Sequence, residues 1–314
     1  MKAKFLSSLL AALATFSVAK PTLAAANDES RLALRPTVDL LARKKTVILG
    51  DSITQAGAYV TFTAYYLDKL YPQKQFDLYG LGLASETLSG LSEEGHAGGA
   101  FPRPCLFERL GRLLEKVKPQ VVFACYGIND GIYLPLDDQR FAAFKGGVTK
   151  LIAQAKAGGV KDIFLVTPPI FDATKKPGEF DYDSVMTAYA HWETTIDEPG
   201  VHVVDLHSAM RKARDARTEV FSQDNIHPGD EGHLLMAKTI LGALGVEVPN
   251  EPVARIHDDP LFKQEDLLRQ HRWTAWMRHI GYTRENTVAP QPLGDTETEE
   301  IKMRQAIDAL RQRL

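Results

Sequence analysis

A serine, an aspartate–histidine pair and an asparagine stand where each could take part in acyl transfer. The serine is Ser52, in Leu49-Gly50-Asp51-Ser52-Ile53-Thr54, directly after a short apolar run and directly before a helical pattern. A hydroxyl there lies at a strand's carboxyl end and a helix start, where backbone N–H groups favour developing negative charge. It is a poor nucleophile unless a base takes its proton. By itself, Ser52 or Asp51 is equally suited to an N-cap. The base candidate is His227, in Asp224-Asn225-Ile226-His227-Pro228. Asp and His three residues apart in a tight turn can set the carboxylate against one imidazole nitrogen and leave the other to face a serine. Of nine histidines, His227 alone combines this spacing with a place after the last expected strand. His202 reads as core or sheet edge, His233 as a surface helix position, and His96 as part of a Gly-rich loop able to touch substrate.

Two further blocks could supply hydrogen-bond donors. Tyr126-Gly127-Ile128-Asn129-Asp130-Gly131 follows an apolar run, and an asparagine amide there can donate to an oxyanion, a contact worth about 3 kcal/mol. Asn, Asp and Gly also favour turns, and the two roles agree because a turn can aim the amide. Gly80-Leu81-Gly82-Leu83-Ala84-Ser85-Glu86-Thr87 is a small-residue loop through which a backbone N–H could be offered.

The elements that must position these residues alternate from 46 to 245. Apolar runs at 46–49, 76–79, 121–125, 163–166 and 201–204 mostly lack polar alternation, as strands covered on both faces do. Between them lie helical patterns: Val60, Ala64, Leu67 and Tyr71; Leu110, Leu113, Leu114 and Val117; then Phe141 to Ala157 and Leu234 to Leu244. Five β-α units of this kind predict a doubly wound α/β sandwich, whose ligands bind beyond the carboxyl ends of the strands. The four blocks fall at such ends. After Leu244 the pattern changes: Asp259-Pro260 opens a helix carrying Phe262, Leu267, Leu268, Trp273, Trp276, Met277 and Ile280. A link over 289–294 leads to a last helix opened by a capping box, Thr296-Glu297-Thr298-Glu299, with Met303, Ile307, Leu310 and Leu314 on one face. Tryptophans at helical spacing read as buried packing, the alternative being an apolar patch for a lipid substrate.

Gly-Asp-Ser, a Gly-rich block, Gly-x-Asn-Asp and Asp-x-x-His-Pro, in this order over residues 45–245, resemble the SGNH hydrolase family, also called GDSL esterases and lipases. The resemblance implies a three-layer α/β/α sandwich with a five-stranded parallel, flavodoxin-like sheet. It implies hydrolysis of a carboxylic ester through an acyl-enzyme, with no metal or organic cofactor. Ser52 would be the nucleophile, His227 the general base and then acid, and Asp224 its orienting partner. The oxyanion would be held by the N–H of Ser52, the side chain of Asn129 and a donor from the second block. The family's second block carries a glycine five residues after an asparagine; here the spacing puts Ser85 at the donor position and Gly80 at that of the asparagine. Gly82 is the runner-up. The missing Gly-x-Ser-x-Gly elbow speaks against an ordinary α/β-hydrolase.

The expected domains are a signal peptide at 1–26, the hydrolase domain at 27–249 and a helical extension at 250–314 packed on the core. Lys2 and Lys4, the apolar stretch Phe5 to Val18 and the small residues Ala24-Ala26 predict export to the periplasm or outside, with cleavage near Ala24–Ala26. That stretch is shorter than the roughly 20 residues a membrane span needs, so no stable membrane insertion is expected. Without the first 26 residues, 34 basic side chains face 40 acidic ones, which argues against nucleic acid as a partner. Two cysteines, Cys105 and Cys125, cannot build a disulfide framework; whether they pair is left open, as is the oligomeric state. Residues 93–103 and 131–134 should border the site, so Asp51, Gly82, His96, Phe101, Arg103 and Tyr133 are possible substrate contacts. The partner is a small-molecule or polysaccharide ester. Removal of O-acetyl groups from carbohydrate is the first expectation; a lipid or short-chain acyl ester, or acyl transfer by the same residues, is the alternative.

Overall fold

The computed structural model describes residues 37–173 and 180–314; the expected export signal lies outside the described residues. Every apolar run named above is a strand: β1 (Lys45–Gly50), β2 (Asp77–Gly80), β3 (Val121–Cys125), β4 (Asp162–Val166) and β5 (Val201–Val204). They pair in parallel in the order β2-β1-β3-β4-β5. Val47, Leu49, Val121, Val122, Ile163 and Phe164 have no exposed surface, because helices cover both faces. This is the expected three-layer architecture.

The helices are α1 (Ser52–Ala56), α2 (Ala58–Leu70), α3 (Leu110–Val117), α4 (Asp138–Ala157), α5 (Asp183–Glu193), α6 (Leu206–Asp215) and α7 (Asp230–Ala243). The chain leaves β1 towards β2 through α2, then crosses back through α3 to β3 and on through α4 and α5. Right-handed crossovers in opposite directions put α2 on one face of the sheet and α3 to α5 on the other. Phe144 of α4 stacks on Tyr189 of α5 at 4.4 Å, and α7 packs on α2. The order reverses between β1 and β3, and register brings Gly50 level with Cys125, and Cys125 level with Val166. The crevice of a doubly wound sheet opens at such a reversal.

His233 does not occupy the surface position expected of it. It is buried, stacked on Tyr59 at 6.1 Å, and its burial pulls its pKa down to about 4. α7 is covered on more than one side, so a polar residue on it need not face water.

Beyond Leu244 follow α8 (Val253–Asp258), α9 (Pro260–Ile280), a short hairpin of β6 (Tyr282–Thr283) and β7 (Thr287–Val288), and α10 (Thr296–Arg311). Asp259 caps α9 by accepting from the Leu261 N–H at 2.9 Å, with Pro260 at the first position. Of the residues expected along α9, Leu267 is exposed. The capping box does not form: α10 has Asp295 at its N-cap, and the Thr296 hydroxyl donates back to the Leu293 carbonyl. Leu314 is exposed, so the apolar face of α10 consists of Met303, Ile307 and Leu310. Arg272 of α9 is 2% exposed and donates to the Leu78 carbonyl at 2.8 Å, to Asp77 at 2.7 Å and to Glu300 at 2.9 Å. Arg304 of α10 donates to the Phe76 carbonyl at 2.7 Å and to Asp77 at 2.6 Å. Trp276 is buried with its Nε1–H on Glu300, and Trp273 is half-buried, so the tryptophans form packing and not an apolar patch. Both cysteines are free, Cys125 buried in β3 and Cys105 half-buried. Among the described residues no helix is long and apolar enough to cross a membrane.

Candidate active site

Ser52 begins α1 immediately after β1. A Cβ on Gly50 would lie 2.0 Å from Thr54 Oγ1 and 2.8 Å from the Cys125 carbonyl, so only glycine permits this tight exit. Asp51 is the N-cap and accepts from the Ile53 N–H at 2.9 Å. At 2% exposure it is a capping residue and not a substrate contact. The Ser52 N–H is taken up by no acceptor among the described residues.

The loop between α6 and α7 brings the other two members of the set to this serine. Asn225 in the left-handed region turns the chain, at a φ of 70°. Asp224 Oδ1 then accepts the N–H groups of Ile226 at 3.0 Å and His227 at 2.8 Å. Asp224 Oδ2 lies 2.6 Å from His227 Nδ1, and His227 Nε2 lies 2.8 Å from Ser52 Oγ. The Asp224 carboxyl would rise on losing water, but the His227 imidazole and those two N–H groups outweigh this and hold it at about 2. An ionised Asp224 requires the proton on Nδ1, leaving Nε2 to accept from the serine hydroxyl. A hydroxyl so held can lose its proton to the imidazole as it attacks. Both side chains are about half exposed, at 47% for His227 and 54% for Asp224, so the set lies open at the surface. The loop is anchored from β4: the Asp172 N–H donates to the Asn225 carbonyl at 2.8 Å, and the Asp172 carboxylate accepts from the Phe221 and Ser222 N–H groups.

Asn129 follows β3 and is buried. Its Oδ1 accepts from Arg103 Nη1 at 2.8 Å and from the Tyr133 hydroxyl at 3.1 Å, while Nδ2 donates to the Glu86 carbonyl at 3.3 Å. One amide hydrogen remains to serve a ligand. Arg103 is buried and also grips Glu93, at 2.6 and 2.7 Å. Arg103 and Tyr133, expected as substrate contacts, are instead turned to Asn129. His96 is buried, with Nδ1 on the Phe101 carbonyl at 2.8 Å, and is likewise occupied. Phe101 is half-buried against Arg284, at 5.0 Å.

The second block folds over α1. A Cβ on Gly82 would lie 2.5 Å from the Gln55 nitrogen and 2.7 Å from the Asp51 carbonyl, and the Gly82 carbonyl accepts from Trp273 Nε1 at 2.8 Å. The missing Cβ at Gly82 thus lets the second block lie against α1. The Ala84 N–H goes to Gln55 Oε1 at 2.7 Å, and Ser85 takes a φ of 67° with its N–H unclaimed among the described residues. Glu86, fully buried, receives Arg109 through two bonds of 2.6 Å and the Tyr126 hydroxyl at 2.6 Å; Arg109 also donates to the Leu81 carbonyl at 2.9 Å. Asp130 accepts from the N–H groups of Leu88, Ser89 and Gly127, locking the third block to the second. Burial pushes Asp51 up to about 7 and Asp130 up to about 6, against the hydrogen bonds each accepts.

The structure therefore joins Ser52, His227 and Asp224 directly and sets Asn129 and Ser85 on the neighbouring loops. The Arg103, Glu86, Arg109, Trp273 and Arg284 supports carried no local signal in the sequence, since each reaches a partner 23 to 200 residues away.

The model of a family described as the GDSL-like Lipase/Acylhydrolase family matches residues 48–235. Two solved variants of an esterase from Geobacillus stearothermophilus share the fold. One, described as an acetyl-xylooligosaccharide esterase, is 21% identical with a TM-score of 0.53, over 67% of this chain and 98% of that one. The other, described as an acetyl xylan esterase, is 20% identical with a TM-score of 0.51, over 69% and 100%. No curated protein matches the chain.

Proposed function

The chain belongs to the GDSL-like lipase/acylhydrolase family and is an esterase of the SGNH type, and from this we propose that it is an exported serine esterase that removes O-acetyl groups from carbohydrate. The observation that carries the mechanism is the run of contacts from Asp224 Oδ2 to His227 Nδ1 at 2.6 Å and from His227 Nε2 to Ser52 Oγ at 2.8 Å. Ser52 attacks the acyl carbon while Nε2 takes its proton. The resulting oxyanion is held by the N–H of Ser52, the N–H of Ser85 and the Nδ2 of Asn129. His227 then gives the proton to the departing alcohol oxygen, leaving an acyl group on Ser52. Water, deprotonated by His227, releases the acid and restores the serine. Asp224 stays ionised and stabilises the imidazolium at both steps.

The carbohydrate part is supported by the open position of His227 and Asp224, the leader-like residues 1–26, and fold neighbours described as acetyl xylan esterases. A polymer can reach an open serine without being swallowed. The test is hydrolysis of p-nitrophenyl acetate, butyrate and octanoate beside acetylated xylan, with Ser52→Ala as the control. Serine-dependent release confined to acetyl groups, and faster on the polysaccharide, is expected. Preference for the octanoate would move the substrate to lipid esters, and activity surviving in Ser52→Ala would refute the mechanism. N-terminal sequencing of the exported protein tests cleavage near Ala24–Ala26.

A further inference from the structure

Each of the two amides proposed above to join Ser52 in holding the oxyanion has its own carbonyl oxygen held by an arginine. The Ser85 N–H belongs to the same planar peptide unit as the Ala84 carbonyl, and that oxygen accepts from Arg284 Nε at 3.2 Å. In a trans peptide the N–H and C=O point to opposite sides, so fixing the oxygen fixes the direction of the donor. The Asn129 amide repeats the arrangement in a side chain, with Arg103 Nη1 on Oδ1 at 2.8 Å. We infer that Arg284 and Arg103 are positioning residues that aim and strengthen the two oxyanion donors, and that the hairpin following α9 is thereby part of the catalytic apparatus. The inference rests on the serine-esterase reading of the site.

Two physical effects act together. A cation on an amide oxygen draws electron density from the nitrogen, so the N–H becomes a better donor. Preorganisation matters equally, because a donor aimed before the reaction needs no reorientation as charge develops. Arg103 is well suited: it is buried, and Glu93 clamps it through two bonds. Arg284 lies outside residues 48–235 and is steadied by stacking over Phe101 at 5.0 Å. Phe101 is two residues from Arg103, so one loop backs both arginines. Trp273 on the Gly82 carbonyl adds a second tie from the same extension to the same block.

The experiment is steady-state hydrolysis of p-nitrophenyl acetate by the full chain carrying Arg103→Met, Arg284→Gln, Asn129→Ala, and Arg103→Met combined with Asn129→Ala. Each arginine substitution is expected to lower kcat about ten- to hundredfold with KM nearly unchanged. Because Arg103 acts through Asn129, its removal should have no further effect in the Asn129→Ala background. Arg284→Lys and Arg103→Lys should recover part of the rate, and they replace the larger truncations if those fail to fold. Unchanged kcat in the arginine variants, raised KM with kcat intact, or full additivity of Arg103→Met with Asn129→Ala would overturn the inference. Ser52→Ala separates the two levels. If it is inactive while the arginine variants run at the full rate, the esterase reading stands and only the positioning role falls.

Discussion

Replacing Asp51 by asparagine should stabilise the protein, and by an amount that depends on pH. Asp51 lies at the N-cap of α1 with 2% of its surface exposed. Burial drives its pKa from 3.8 up to about 7; the Ile53 N–H and His227 oppose the rise, and Asp130 and Glu86 reinforce it. Between pH 3.8 and 7 the unfolded chain releases this proton while the native state retains it. Stability is therefore full below 3.8 and is lost as pH rises through 7, with no further loss above. At about 1.4 kcal/mol per pH unit, the wild type loses about 4 kcal/mol over the window, of which about 3 kcal/mol falls between pH 5 and 7. Asparagine does not titrate and keeps an oxygen for the Ile53 N–H. Urea unfolding of both proteins at pH 5, 6, 7 and 8 should show the advantage of Asp51→Asn growing to pH 7 and then levelling. Asp130 titrates in both proteins, so its contribution largely drops out of the difference. An advantage that is constant with pH, or that shrinks as pH rises, would refute the assignment of a buried proton to Asp51.

Asn129→Asp should keep the acceptor that Arg103 and Tyr133 use while removing the donor and adding a negative charge. We expect kcat to fall at least about 10²- to 10³-fold with little change in thermal midpoint, as kinetics and calorimetry together would show. Arg109→Met leaves Glu86 uncompensated in a fully buried site and should cost about 3–5 kcal/mol in chemical denaturation, whereas loss of a surface pair would cost under about 1 kcal/mol. Gly82→Ala drives a Cβ into backbone atoms of α1 that cannot yield, so the second block must lift. Stability should fall by about 1–3 kcal/mol, with turnover reduced in the folded fraction.

The parts of the site visible in the sequence were those written in short local spacings. Asp224 and His227 are three residues apart, and Ser52 and Asn129 follow apolar runs that the sheet uses as strands. The close approach of Gly82 to Gln55 and Asp51 is visible only in three dimensions, because the partners come from the preceding β-α turn. His233 misleads for a related reason: polarity marks a surface only if nothing packs there, and Tyr59 does. α5 and α6 leave only a faint pattern in the sequence, since Val185, Met186, Tyr189 and Ala190 make a short stripe and α6 buries only Leu206, His207 and Met210. The expected capping box is absent because Asp295, not Thr296, takes the N-cap of α10, a difference of one residue that no spacing rule resolves.

The arginines of the C-terminal helices have a bearing on self-association. β2 ends the sheet, with β1 on one side and, among the described residues, no strand on the other. Phe76 and Leu78, at alternate positions, direct their carbonyls away from β1, a row on which a foreign strand could pair. Arg304 and Arg272 occupy those two oxygens, and their charges would meet any incoming strand. Residues 260–311 thus cover the free margin of the sheet, and a chain shortened before α9 would present that margin to every other copy in solution.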